Sequence, residues 1–168
     1  LYKGVDWEMI YVFDLDGTLI DNHLAITNAY LAAGVSMPLH AWGKPVGAWC
    51  TAKQHAHKQK VYPKMLERYA KRGPAWPLWM FIQHARILHD PIIITAASEK
   101  SAGDALNFLG VANRFLYASG LTPEGKISFL RQRKPAVYID SDEVYAEHIA
   151  TESHISFFST ERGIVTCN

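Results

Sequence analysis

Short runs of consecutive apolar residues recur along this chain, separated by longer stretches in which apolar and polar positions alternate with a helical period. Five of the short runs, at 9–13, 91–95, 114–118, 136–139 and 155–159, have the length and composition of strands. Ile92, Ile93 and Ile94, like Val137, Tyr138 and Ile139, are β-branched or aromatic throughout. A strand with no polar face is buried on both sides, as in a parallel sheet covered by two layers of helices. The stretches between the runs supply those helices. Residues 76–89 carry Trp76, Met80, Ala85 and Leu88 among other apolar positions. Residues 98–109 open on Ser98, a good N-cap, and close before Gly110, a good residue to follow a helix. Residues 123–133 begin with Pro123 and Glu124 and end in basic residues, which matches the helix dipole at both ends. Residues 143–151 are a further candidate. This alternation predicts a doubly wound parallel α/β sheet, with its ligand beyond the carboxyl ends of the strands.

One stretch breaks the alternation. Residues 23–73 are too many for a connection between the first and second strands. They have helical character, with Pro38, Pro45 and Pro63 as punctuation. They read as a small α-helical cap inserted after the first strand, leaving 1–22 and 74–168 as the core. At 168 residues the chain is long enough for one domain with such an insertion, and for a core that needs neither metal nor disulfide to fold.

Composition narrows the function classes. With 49% apolar and 20% charged residues and a net charge of +1, the chain is ordinary for a globular protein. Its overall charge points neither to nucleic acid nor to a membrane surface. Cys50 and Cys167 cannot form a disulfide framework, and no Cys/His cluster has zinc spacing. No apolar run approaches the roughly 20 residues of a membrane span, and the first residues lack a signal-peptide core. The expectation is a cytoplasmic protein with no membrane partner; oligomeric state is not legible.

The chemistry gathers where strands end. In Asp14-Leu15-Asp16-Gly17-Thr18 a buried strand stops in two carboxylates two residues apart, followed by a turn. Strand periodicity sends Asp14 and Asp16 to one side and Leu15 to the other. Two carboxylates there are costly without a cation between them, and Mg²⁺ is a hard ion suited to carboxylates and a substrate phosphate together. The segment from Phe13 to Asp21 resembles the first signature of the haloacid dehalogenase-like hydrolases, most of which are phosphatases, and the resemblance extends in order along nearly the whole chain.

The resemblance implies a role for each matching residue. Asp14 would be the nucleophile and form an aspartyl-phosphate. Asp16 would protonate the leaving oxygen and then activate water. Mg²⁺ would be held by the Asp14 carboxylate, the Asp16 backbone carbonyl and Asp140, with the side chains of residues 14, 16 and 140 converging on the ion. Thr95 would hydrogen-bond a phosphoryl oxygen, with Ser98 a weaker candidate. Lys126 would neutralise phosphoryl charge, with Lys100 and Lys134 as rivals. Asp142 or Glu143 would support the metal from outside. Asp16 favours ester hydrolysis over carbon–halogen cleavage, since an alkoxide leaving group needs a proton. The implied strand order is 5-4-1-2-3.

The insertion adds a substrate signal. Between Lys53 and Arg72 seven Lys and Arg residues face one acid, Glu67, whereas the remainder of the chain is net acidic. Positions 53, 57, 60, 64, 68 and 71 fall near one helical face, with Val61, Met65 and Tyr69 opposite. Trp42, Trp49, Lys53 and His57 are the candidate substrate contacts, the indoles for stacking on a base and the cations for drawing in an anion. They suggest nucleoside monophosphates or similar small phosphorylated metabolites. The alternatives are a phosphatase acting on DNA or RNA ends through the basic face, and a non-enzymatic module on the same fold.

Overall fold

Val12 and Phe13 have no exposed surface, and their strand lies inside the sheet. The computed structural model describes residues 8–38, 46–85, 89–111, 117–133 and 135–167. Strand β1 (Ile10–Asp14) pairs in parallel with β4 (Ile92–Ile94) on one side and β6 (Ala136–Ile139) on the other. Beyond β4 lies β5 (Tyr117–Ala118); beyond β6 lie β7 (Ser156–Ser159) and the antiparallel edge strand β8 (Gly163–Thr166). The order is β5-β4-β1-β6-β7-β8. Read from the other edge and without β8, this is the expected 5-4-1-2-3. Of the third expected strand, Tyr117–Ala118 is present and 114–116 lie outside the described residues.

The absence of a polar face has a direct structural counterpart. Successive residues of each central strand enter opposite cores. Tyr11, Phe13, Ile93, Val137 and Ile139 pack in one, while Val12, Ile92, Ile94, Ala136 and Tyr138 pack in the other. The first is covered by α3 (Trp76–Ala85) and α4 (Glu99–Leu109), with Trp79 set edge-on to Phe13 at 5.2 Å. The second is covered by α5 (Pro123–Gln132) and α6 (Glu143–Ser153). The caps of these helices are built from their own sequence. Ser98, Thr122 and Asp142 each accept a hydrogen bond from the backbone N–H three residues on.

Strand β8 was not expected. Gly163, Ile164 and Val165 are half-buried and Thr166 is exposed, and the run is only four residues long. It is held by a hairpin in which Ser159 Oγ accepts from the backbone N–H groups of Glu161 and Arg162.

Residues 23–73 leave and rejoin the sheet layer at adjacent points. Strand β2 (Ile20–Asp21) pairs antiparallel with β3 (Lys71–Arg72). Between them, among the described residues, run α1 (His23–Ala32), a 3₁₀ turn (Val46–Ala48) and α2 (Ala52–Tyr69). Thr51 and Gln54 close a reciprocal capping box at the start of α2. Gly73 seals the return. Its N–H donates to the Leu19 carbonyl at 2.8 Å, and a Cβ at this position would sit 2.2 Å from the Thr18 carbonyl oxygen.

One expectation about α2 is corrected, and a second holds in part. Pro63 does not punctuate the segment but lies inside the helix. A proline cannot donate to the carbonyl four residues back, and that carbonyl, of Gln59, instead accepts from Lys100 Nζ at 3.2 Å. The expected inward set, Val61, Met65 and Tyr69, is half-buried against the core. The fully buried stripe is Lys58, Tyr62 and Leu66, at intervals of four. The basic face at 53, 57, 60, 64, 68 and 71 is exposed.

Candidate active site

The loop after β1 is wound around one carbonyl. Leu15 O accepts from the N–H groups of Thr18, Leu19 and Ile20 at 3.0 to 3.3 Å, and Gly17 takes the left-handed backbone (φ +78°) that this winding requires. Leu15 is fully buried, which leaves Asp14 and Asp16 at the carboxyl edge of the sheet.

Asp14 is held from two sides. Lys126 Nζ, from the first turn of α5, donates to Asp14 Oδ1 at 2.9 Å. Thr18 Oγ1 donates to Asp14 Oδ2 at 3.2 Å and accepts the N–H of Ser141 at 3.0 Å. The latter bond ties the loop after β1 to the loop after β6. Burial, the largest single influence, works to lower the Lys126 pKa, but Asp14, Tyr145 and Asp140 together outweigh it and the ammonium is held above its ordinary range. Of its rivals, Lys100 is exposed and engaged with Asp104 and the Gln59 carbonyl, and Lys134 lies outside the described residues.

Asp140 ends β6 and is as buried as Asp14. The Tyr138 hydroxyl donates to its Oδ2 at 2.9 Å and the Asp142 N–H to its Oδ1 at 3.0 Å; Lys126 Nζ reaches the Tyr138 hydroxyl at 3.3 Å. Burial, and then the charge of Asp14, push the Asp140 carboxyl up to about 7. Of the two outer candidates, Asp142 supports Asp140 through its backbone and caps α6 with its side chain. Glu143 is bound to Thr160 on the β7–β8 hairpin.

Asp16 faces the inserted helices. Asn22 Nδ2 donates both to Asp16 Oδ1 and to the Tyr62 hydroxyl, each at 2.8 Å. Burial raises the Asp16 pKa, with the Asn22 hydrogen bond opposing it. The side chain of Asp16, expected with those of Asp14 and Asp140 around one ion, is hydrogen-bonded to Asn22 in this structure. Among the described residues no group of three or more His, Cys, Asp or Glu side chains gathers as a metal nest. Asp14 and Asp140 form the interacting pair, and the Asp16 carboxylate turns to Asn22. The donor set still fits Mg²⁺. Two buried carboxylates raise each other's electrostatic cost, which a hard divalent cation relieves, and the Asp16 backbone remains available as the implied third donor.

Thr95 closes β4 beside Asp14 and is fully buried. Its Oγ1 accepts from the Ala97 N–H at 3.1 Å, which leaves the hydroxyl hydrogen to donate. Ser98 serves as the α4 cap and accepts from Gln59 Nε2. Lys53 and His57 are exposed on α2, away from the buried stripe that faces Asn22. Trp49 is half-buried with its ring edge-on to Tyr30 at 4.7 Å, and Trp42 lies outside the described residues. Sequence reasoning missed Asn22, Lys58, Tyr62 and Tyr138. Tyr138 was within reach, because a residue two before Asp140 on the same strand shares its side.

A central strand ending in Asp14, flanked by Thr95 on one neighbour and Asp140 on the other, defines the fold of the haloacid dehalogenase-like hydrolases, and this chain has that fold. It is similar to CbbY from Rhodobacter sphaeroides, whose crystal structure is a complex with phosphate (TM-score 0.63, 18% identity, 88% of this chain and 84% of that one). It is similar also to a hydrolase from Pseudomonas syringae (TM-score 0.60, 17% identity, 89% and 82%). A third match is a haloacid dehalogenase-like family hydrolase from Streptococcus pneumoniae (TM-score 0.54, 18% identity, 89% and 82%). No protein-family model and no curated protein matches the sequence.

Proposed function

We propose that the protein is a magnesium-dependent phosphomonoester hydrolase working through an aspartyl-phosphate, with residues 23–73 as a cap over the site. The observation that carries this is the division of labour between two carboxylates two residues apart. Asp14 is fixed by Lys126 and Thr18 next to Asp140, while Asp16 is held separately by Asn22 in surroundings that favour its protonated form. In the first step an Asp14 oxygen bonds to phosphorus as the ester P–O bond breaks, and its electron pair goes to the leaving oxygen, which takes the Asp16 proton. In the second step water attacks phosphorus, Asp16 takes a proton from it, and Asp14 is released with inorganic phosphate. Lys126 and Thr95 would hold the phosphoryl oxygens in both steps. Bound Mg²⁺, on Asp14, Asp140 and the Asp16 carbonyl, would supply charge neutralisation.

Small phosphorylated metabolites are the substrate class. The nucleoside monophosphate reading loses support, since Lys53 and His57 face solvent and Trp49 packs on Tyr30. The exposed basic face of α2 keeps the polynucleotide-end reading in play, and that reading requires oligonucleotide binding that weakens steeply with salt. The deciding experiment is a panel of phosphomonoesters and 5′- and 3′-phosphorylated oligonucleotides, assayed with Mg²⁺ and with EDTA. Turnover that needs Mg²⁺ and vanishes in Asp14→Asn is expected. Turnover that survives Asp14→Asn, or none at all, overturns the proposal; the latter outcome favours a binding module. Among the described residues no helix is long and apolar enough to cross a membrane.

A further inference from the structure

Among the described residues two lysines are buried, and only one has a carboxylate for a partner. Lys126 is paired with Asp14 at 2.9 Å. Lys58, in α2, is 5% exposed, yet among the described residues no carboxylate lies within ion-pair distance of it. Its one hydrogen-bond acceptor there is the Ser101 hydroxyl, at 3.2 Å, from the first turn of α4. Its Nζ stands 4.4 Å from the centre of the Tyr62 ring and 5.2 Å from that of Tyr30. Lysine is almost never fully buried unless it is paired. Two ring faces and one hydroxyl return only part of the hydration an ammonium loses. Lys58 is thus a buried cation with donors to spare.

Its location gives that surplus a use. Asn22 bridges Asp16 Oδ1 and the Tyr62 hydroxyl, and the Tyr62 ring carries Lys58. The lysine is therefore linked through two side chains, Tyr62 and Asn22, to the acid that would protonate the leaving oxygen. On the proposed mechanism the leaving group lies on the Asp16 side of the phosphorus, the side on which Asn22, Tyr62 and Lys58 stand. The α4 N-terminus adds positive potential in the same direction.

We infer that Lys58 and Ser101, walled by Tyr30 and Tyr62, form an anion subsite that binds a carboxylate or second phosphate carried on the leaving group of the substrate. The assignment to the leaving-group side rests on the hydrolase reading above. The preferred substrates are then small phosphorylated acids or bisphosphates rather than esters of neutral alcohols. The cation–anion distance would be a few ångströms in surroundings poor in water, where charge discrimination is strong.

The test uses non-hydrolysable probes, so that binding is measured whether or not turnover occurs. Calorimetry in Mg²⁺ compares 3-phosphonopropionate and propane-1,3-bisphosphonate with propylphosphonate, whose tail is neutral. At least one charged-tail probe should bind tenfold or more tightly than propylphosphonate; which one does so separates carboxylate from phosphate. Lys58→Met, and independently Ser101→Ala, should shrink that ratio, Lys58→Met to near one. The same contrast is expected in kcat/KM for 3-phosphooxypropionate against propyl phosphate. Equal binding of all three probes by the wild type overturns the subsite without reference to any variant, and so does a preference that survives Lys58→Met. A preference in binding with no turnover of any ester leaves the subsite standing and removes the hydrolase reading. Failure to bind any phosphonate removes both.

Discussion

Lys126→Met is the substitution whose consequences the structure fixes most tightly. The side chain is buried, its Nζ lies 2.9 Å from Asp14 Oδ1 and 3.3 Å from the Tyr138 hydroxyl, and the hydroxyl in turn donates to Asp140. Methionine keeps the length and apolar stem but removes the cation bonded to Asp14 and linked through Tyr138 to Asp140. Breaking a buried pair by deleting one partner costs about 3–5 kcal/mol. The Asp14 side chain retains 13% exposure and Asp140 accepts a proton readily, so the lower end, about 3 kcal/mol, is expected without metal near pH 8. Lys126 is one of the groups that hold Asp140 down against burial and the charge of Asp14. In the variant the Asp140 pKa rises further, and a raised carboxyl pKa means that stability falls as pH climbs through it. The destabilisation should therefore be smaller at pH 6 than at pH 8.

Rate and stability should then part company. Mg²⁺ can take over the neutralisation of Asp14 and Asp140, so urea midpoints of Lys126→Met should recover in its presence. On the proposed mechanism the ion does not replace the ammonium as a partner of the transferring phosphoryl group, and losing one preorganised donor costs about 2.7–4 kcal/mol, or ~10²–10³ in kcat. Urea unfolding with and without Mg²⁺ at two pH values, alongside kcat at saturating substrate, measures both. A kcat loss below tenfold, or a stability loss indifferent to both pH and Mg²⁺, would show that the lysine is a packing residue and not the phosphoryl partner.

Asp16→Asn should slow alkyl phosphate hydrolysis by about 10²–10⁴ but affect p-nitrophenyl phosphate, whose leaving group needs no proton, by much less in its first step; equal losses would remove the acid role. Gly73→Ala places a Cβ 2.2 Å from the Thr18 carbonyl oxygen and should cost about 2 kcal/mol by forcing the return strand off the nucleophile loop, an effect that urea titration reads directly and that a change within about 0.5 kcal/mol would contradict. The metal-free protein should lose thermal stability as pH rises from 5.5 to 8, because the Asp140 carboxyl is pushed up to about 7 and its charged form is the disfavoured one. Saturating Mg²⁺ should reverse the slope, and a melting temperature with the same pH dependence in both conditions would count against a metal held at Asp14 and Asp140.

How the site divides into legible and illegible parts follows from where each residue's environment is decided. Asp14, Thr95 and Asp140 sit where apolar runs stop, and a sheet buried on both faces leaves a polar residue at the end of a strand only one place to go. Their neighbourhood was therefore visible along the chain. Lys126 came from the family resemblance, and the structure adds that the Thr122 cap and Pro123 start α5 so that the lysine lies in its first turn. Lys58 has no such local marker. It lies in a helix rich in cations, and by residue type it belongs with Lys53, Lys60 and Lys64, all of which are exposed. What buries it is the approach of Tyr30 from α1 and Ser101 from α4, 28 residues before it and 43 after. No periodicity within α2 carries that information, and a pattern that scores lysine as polar assigns the interior to the apolar residues Val61, Met65 and Tyr69. The exposed cations form the stripe that is visible in the sequence, while the buried cation, held by Ser101, Tyr62 and Tyr30, lies outside it. A charged residue that interrupts a helix's buried stripe at intervals of four, here Lys58 before Tyr62 and Leu66, is by that position a stronger candidate for a functional cation than any member of the exposed face.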